Sequence, residues 1–182
     1  MEAAHSAKLA IGLARDSMNL ELRPYIAVET VNMRHVLDAQ GRVVERWLQI
    51  EWENVGNTPA THLMVTANCL VSDGSLPDDF AFPERPGRNE GGALGREKKV
   101  WSNAPSIPLN EWQLVLDGKK VLHLWGIARY QGSTSTERFE TKYYVTITLW
   151  NSQEADDPGI NFTTWIGAMF NEYITLTPTL TS

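Results

Sequence analysis

From Tyr25 onward apolar and polar residues alternate with a period of two, and that alternation predicts strands. Ile26, Val28, Thr30 and Asn32 interleave with Tyr25, Ala27, Glu29, Val31 and Met33, and Asp38-Ala39-Gln40-Gly41 breaks the run as a hairpin-type turn. A second strand is expected over about Val43–Glu53. In it Leu48, Ile50 and Trp52 face one way, and Gln49, Glu51 and Glu53 face the other. One dry face and one wet face is the mark of an antiparallel sheet. Asn54-Val55-Gly56-Asn57-Thr58-Pro59-Ala60 then turns the chain into a third strand, Thr61–Leu70, with Leu63, Val65, Ala67 and Cys69 inward.

Three more strands are expected later: a short one over Trp112–Leu116 ending at Asp117-Gly118, then Val121–Gln131, then Arg138–Trp150. Gly126, inside the second of these, signals a bulge or a close backbone approach. Phe162–Leu176 reads ambiguously, with a helical turn at Trp165–Phe170 and an edge strand at Glu172–Thr177.

Two stretches break the two-residue period. In residues 2–22, Ala4, Ala7, Ile11, Ala14 and Met18 follow spacings of 3, 4, 3 and 4, which predicts a helix with a heptad seam. Arg23-Pro24 ends it, because the residue before proline is pushed out of the helical region. Residues 72–110 hold Asp73-Gly74, Pro77, Pro83, Pro86-Gly87, Gly91-Gly92, Gly95, Pro105 and Pro108, and read as a long irregular connection. Phe80, Phe82 and Trp101 are its candidate anchors to the sandwich edge.

These elements predict a mainly β protein, an immunoglobulin-like antiparallel β-sandwich preceded by an N-terminal α-helix. A jelly roll or partly open barrel is the alternative. The expected organisation is a helix over 1–23, as stalk or packing element, and a sandwich domain over 24–182 with its long loop at about 72–110.

Charge narrows the partners. A formal charge of −6 and a pI near 5.2 argue against nucleic acid, which needs a basic face. No apolar run reaches a membrane span's length, and no signal-peptide pattern opens the chain. Cys69 is the lone cysteine and sits in an apolar alternation, which predicts a packed thiol. No HExxH, GxSxG, P-loop or dinucleotide motif occurs, and His5, His35, His62 and His123 are not spaced as metal ligands. His123 lies between Leu122 and Leu124 and reads as a hydrogen-bonded core or edge residue. No cofactor, metal or catalytic residue is therefore expected. A hydrolase using Asp78, Asp79 or Glu84 ranks last among the readings, and a calcium site on the aspartate pairs matches no known loop spacing.

Aromatic residues supply the candidate binding surface. Seven tryptophans are many for this length. Trp47 and Trp52 have opposite parity on one strand, so one of them is expected outside the core unless something covers it. Trp47, Phe80, Phe82, Trp101 and Trp112 are the candidate binding residues.

Arg23-Pro24-Tyr25-Ile26, Asn54-Val55-Gly56-Asn57-Thr58-Pro59-Ala60 and Trp125-Gly126-Ile127-Ala128-Arg129-Tyr130 together resemble motifs of a diffuse set of small bacterial proteins of unknown function. In that set a membrane helix and a helical linker precede a β-sandwich domain. The resemblance implies an extracytoplasmic, membrane-anchored domain and brings no assigned activity. The present sequence lacks the membrane helix. The functional expectation is a non-enzymatic interaction or sensor module, with a protein partner or self-association through the helix. A carbohydrate-binding module using surface tryptophans, or a structural subunit of a phage or surface assembly, is the alternative.

Overall fold

A computed structural model describes residues 22–84, 92–133, 137–151 and 160–165, together with positions 11 and 13. Apart from positions 11, 13 and 22, the helix expected over 2–22 lies outside the described residues, as does the edge strand expected over 172–177. The described chain forms two antiparallel sheets. Strands β1 (Ile26–Leu37), β2 (Val43–Asn54) and β5 (Lys99–Asn103) make a three-stranded sheet in the order β1-β2-β5. Strands β3 (Ala60–Ser72), β4 (Gly92–Leu94), β6 (Val121–Gly132), β7 (Arg138–Asn151) and β8 (Ile160–Trp165) make a five-stranded sheet in the order β4-β3-β6-β7-β8. One helix, α1 (Leu109–Leu116), follows β5.

The alternation sets the core as expected. Leu48, Ile50 and Trp52 of β2 are fully buried and meet Leu122, Leu124 and Ala128 of β6 and Val145 and Ile147 of β7. The buried Trp52 indole N–H donates to Ser102 Oγ of β5 at 2.8 Å, so its one polar atom is satisfied. At Gly126 the choice between bulge and close approach is settled by register: Ala67↔Gly126↔Tyr143 pair without a shift. A Cβ there would lie 2.7 Å from both Ile50 Cδ1 and Trp52 Cζ2, and 2.8 Å from the Thr66 carbonyl oxygen. Only hydrogen fits between the sheets at that point.

The turn after β2 is held by one buried side chain. Asn54 Oδ1 accepts from the backbone N–H groups of Tyr25 (3.2 Å) and Gly56 (3.1 Å), and its amide donates to the carbonyls of Thr58 (2.8 Å) and Leu94 (2.9 Å). Val55 N–H adds a bond to Tyr25 O at 2.9 Å. A Cβ on Gly56 would run into the backbone of Arg23, Pro24 and Tyr25. The Arg-Pro-Tyr-Ile and Asn-Val-Gly-Asn-Thr-Pro-Ala motifs are therefore two halves of a single joint.

Two expectations need correction. Trp112–Leu116 is not a strand but lies in α1. Leu109, Trp112 and Val115 recur every third residue, and Trp112 and Val115 are the buried ones. Asp117-Gly118, expected to end a strand, ends the helix. Gly118 has φ +67°, its N–H donates to Val115 O at 3.0 Å, and Lys119 N–H donates to Leu114 O at 2.9 Å, the paired bonds of a Schellman cap. Nor does 72–110 lie wholly outside the sheets. Short strands β4 and β5 arise within it, because main-chain pairing with β3 and β2 needs no long apolar run. Of the helical turn read over 165–170 only Trp165 is described, as the last residue of β8; 166–170 lie outside the described residues.

Candidate functional site

Strand β6 lacks a wet face. Its even positions, Leu122 to Tyr130, point between the sheets, and its odd positions His123, Trp125 and Ile127 are also buried, at 0%, 4% and 6% exposure. What covers them is the segment after β3. Residues 73–84 cross the outer face of the larger sheet as a strap. Its polar fastenings are specific. The Pro83 carbonyl accepts from the Trp125 indole N–H (3.0 Å) and from the Asn68 amide (3.1 Å). Phe80 and Phe82 set their rings against Trp125 at 5.5 and 6.0 Å, and Phe82 reaches Tyr144 at 5.0 Å. Phe82 has φ +46°, a left-handed backbone that a bulky side chain adopts at a cost. Its ring contacts hold it there.

Both ends of the strap are anchored by titratable groups. At the β3 end the ring of His123 lies 3.0 Å from the Gly74 carbonyl through Nε2 and 2.9 Å from Tyr144 Oη through Nδ1. A carbonyl only accepts, so Nε2 carries the proton and Nδ1 accepts from the tyrosine. Ser72 Oγ also touches Nε2 at 2.9 Å, but its hydroxyl donates to Gly74 O. The serine and histidine thus share an acceptor and do not form a nucleophile–base pair. Burial pushes the His123 imidazole below its ordinary pKa, with the Gly74 bond opposing in part. At the far end Arg129 Nη1 donates to Glu84 of the strap at 2.6 Å, and Arg129 Nε donates to Glu140 of β7 at 2.6 Å. Lys142 completes the chain at 3.2 Å from Glu140. The Arg129 bonds hold the Glu84 carboxyl below the usual carboxylate range, against the opposing effect of burial, and the Glu84 bond above all raises Arg129.

Between strap and sheet remains a groove of about 360 Å³. Phe82, Trp125 and Tyr144 give it aromatic wall, Asp78 stands on its rim, and Arg129 and Lys142 bring cationic groups. Aromatic walls with a few placed polar groups are the usual makeup of a small-ligand site.

The five candidate residues separate. Phe80 and Phe82 belong to the strap. Trp101 lies on the outer face of the smaller sheet, 49% exposed, its indole N–H donating to Glu51 Oε2 at 2.8 Å; it does not pin the long connection. Trp47 has the parity of Gln49 and Glu51 and is half-buried on that same face, while Trp52 fills the core. Trp112 is 2% exposed, with the Arg46 guanidinium 5.6 Å from its ring centroid. The residues that sequence reasoning missed are Trp125, Arg129, Tyr144, Glu140 and Lys142. One signal could have found the covered face and Trp125 on it: Val121–Ala128 has no polar alternation, which in an antiparallel sheet demands cover on both faces.

Among the described residues no group of three His, Cys, Asp or Glu side chains could hold a metal ion, and no helix is long and apolar enough to cross a membrane. Comparison with protein-family models, with curated proteins and with solved structures found no match.

Proposed function

We propose that this protein is a non-enzymatic interaction or sensor module whose ligand occupies the groove between the 73–84 strap and the larger sheet. The observation that carries the reading is the aromatic groove itself, closed by a strap whose Phe82 is held in a strained backbone. The polar groups around it are committed to structure. Both ring nitrogens of His123 are engaged, and Glu84, Arg129, Glu140 and Lys142 neutralise one another in a chain. Such a site selects by shape and contact. The immunoglobulin-like arrangement, self-association through residues 2–22 and an extracytoplasmic bacterial setting belong to the same reading and rest on strand count, heptad spacing and the motif resemblance.

A fragment screen read by NMR at the Trp125 indole N–H tests it. Hits should move Trp125 and Tyr144, and Phe82→Ala should abolish those shifts while the core resonances stay in place. Hits that bind Phe82→Ala as well as the parent chain overturn the reading.

A second reading, glycan binding, is favoured by Trp101. Its indole is exposed and fixed by Glu51, and beside it the Gln49 side chain links Arg34 (3.1 Å) and Asn103 (2.9 Å) into a polar row. A rigid ring beside oriented amides suits a pyranose. On a glycan array, binding that survives Phe82→Ala and is lost in Trp101→Ala would place the ligand on this sheet; a blank array removes the reading.

A further inference from the structure

Arg129 also lines a second concavity of about 280 Å³, with His62, Met64, Gln131 and Arg138. The register explains why these side chains gather. Gln131 of β6 faces Arg138 of β7, and Met64 of β3 faces Arg129. Between Thr61 and Met64 the β3 ladder holds one residue more than β6, and His62 within this bulge has φ +52°. A bulge with a non-glycine residue in the left-handed region re-aims a side chain, and such strain gathers at functional positions.

Among the described residues neither Arg138 nor His62 makes a hydrogen bond or ion pair. The nearby carboxylates are already used: Glu84 is held by Arg129, and Glu140 by Arg129 and Lys142. Exposed Glu137, next to Arg138, has an interaction of its own. No carboxylate lines the concavity. In a chain of net charge −6, a pocket offering an open guanidinium, an amide and an imidazole, and no acid, attracts an anion. A guanidinium matches the flat, two-oxygen edge of carboxylate, phosphate or sulfate.

We propose that Arg138, Gln131 and His62 form an anion-binding pocket, distinct from the groove, whose ligand is a small molecule carrying a carboxylate, phosphate or sulfate group. The register sets it apart: Gln131, with Arg138 facing it, lies six residues along β6 from Trp125, roughly 20 Å at strand spacing, with the Arg129–Glu84 and Arg129–Glu140 ion pairs between.

The test titrates the full chain with inorganic phosphate, acetate and benzyl alcohol, following Arg138 Nε–H and the Trp125 indole by NMR. Phosphate or acetate should move Arg138 and leave Trp125 still, and benzyl alcohol should leave Arg138 still. The tighter of the two anions identifies the headgroup. Arg138→Gln, at an exposed position, should weaken that anion about tenfold or more. If neither anion moves Arg138, the pocket is overturned, whether or not benzyl alcohol moves Trp125 and so supports the groove. Equal affinity of the parent and Arg138→Gln for the tighter anion also overturns the pocket.

Discussion

The central strands of the two sheets solve different burial problems. In β2 of the smaller sheet, fully buried Leu48, Ile50 and Trp52 alternate with Gln49, Glu51 and Glu53, of which Gln49 and Glu51 carry a polar ladder reaching Arg34, Asn103 and Trp101. In β6 of the larger sheet no such ladder exists through residue 128; both faces are dry. One face of β6 meets the other sheet and the other meets the strap. The difference shows that the larger sheet is the middle of three layers along this strand. The third layer is built from a segment with no regular structure of its own, so its order depends on a few contacts: two phenylalanine rings, one proline carbonyl and two anchors. The inner interface is broad and apolar and does not share that dependence.

The sharpest way to break the contrast is to wedge the inner interface. Gly126→Val would drive its Cβ into Ile50, Trp52 and the Thr66 carbonyl, two sides of a packed core and one immovable backbone atom. A loss of about 3 kcal/mol or more in urea unfolding is expected, near the upper end for overpacking. Gly92→Ala, whose Cβ would meet nothing within 4 Å, is the control and should move stability little. A tolerated valine would mean that the sheets can part at this point.

A smaller and more local loss is expected on the other face. Trp125→Ala removes the ring that Phe80 and Phe82 pack on and the indole that holds Pro83. A buried tryptophan truncated in a rigid core costs about 3–5 kcal/mol, but the strap can settle onto the sheet, so about 2 kcal/mol is expected here. Hydrogen exchange should show 73–84 losing protection while β2 and the inner face of β6 keep theirs. A uniform loss of protection across both sheets would show instead that strap and core unfold as one unit.

How far the sequence could be read follows from the same contrast. Where one face was wet, the alternation placed strands to within a residue or two: Val43–Glu53 became Val43–Asn54, and Thr61–Leu70 became Ala60–Ser72. Trp47 and Trp52 were rightly assigned opposite faces, and the Asn54–Ala60 turn was legible from its residue types. The strap was not. Phe80 and Phe82 could be picked out as anchors, but their partners Trp125 and Tyr144 lie more than forty residues away, and the contact is set by tertiary packing. Strands β4 and β5 escaped because pairing with a neighbour's main chain leaves little trace in side chains. Helix α1 was misread because Trp112, Val115 and Leu116 suit a strand as well as a helix over five residues; the three-residue spacing from Leu109 and Gly118 beyond the end decide for helix. The basic pocket was hidden by a net acidic composition, which says nothing about where the acids are already paired.

The smallest expected effect separates strap from core by pH. His123 is fully buried in the outer layer, among the Gly74 carbonyl, Ser72, Tyr144 and Thr146, and burial lowers its pKa in the folded state below the ordinary 6.5. Between the lowered value and 6.5 the unfolded chain binds the proton and the folded chain does not. Stability therefore rises with pH through that window, is fully present above it, and is lost as pH falls from 6.5 toward the lowered value. One proton limits the slope to about 1.4 kcal/mol per pH unit. Carboxylates held low by their partners, such as Glu84, act in the same direction but at more acid pH. His123→Gln keeps a donor and an acceptor without titrating, so it should flatten the stability curve in this window and leave the acid limb unchanged. Protonation should also loosen Gly74 before it disturbs Trp52, because the imidazolium's second N–H meets a tyrosine oxygen that had been its donor. If exchange at Gly74 and at Trp52 rises together as pH falls, the histidine couples both layers, and the separation between a local strap and a global core does not hold.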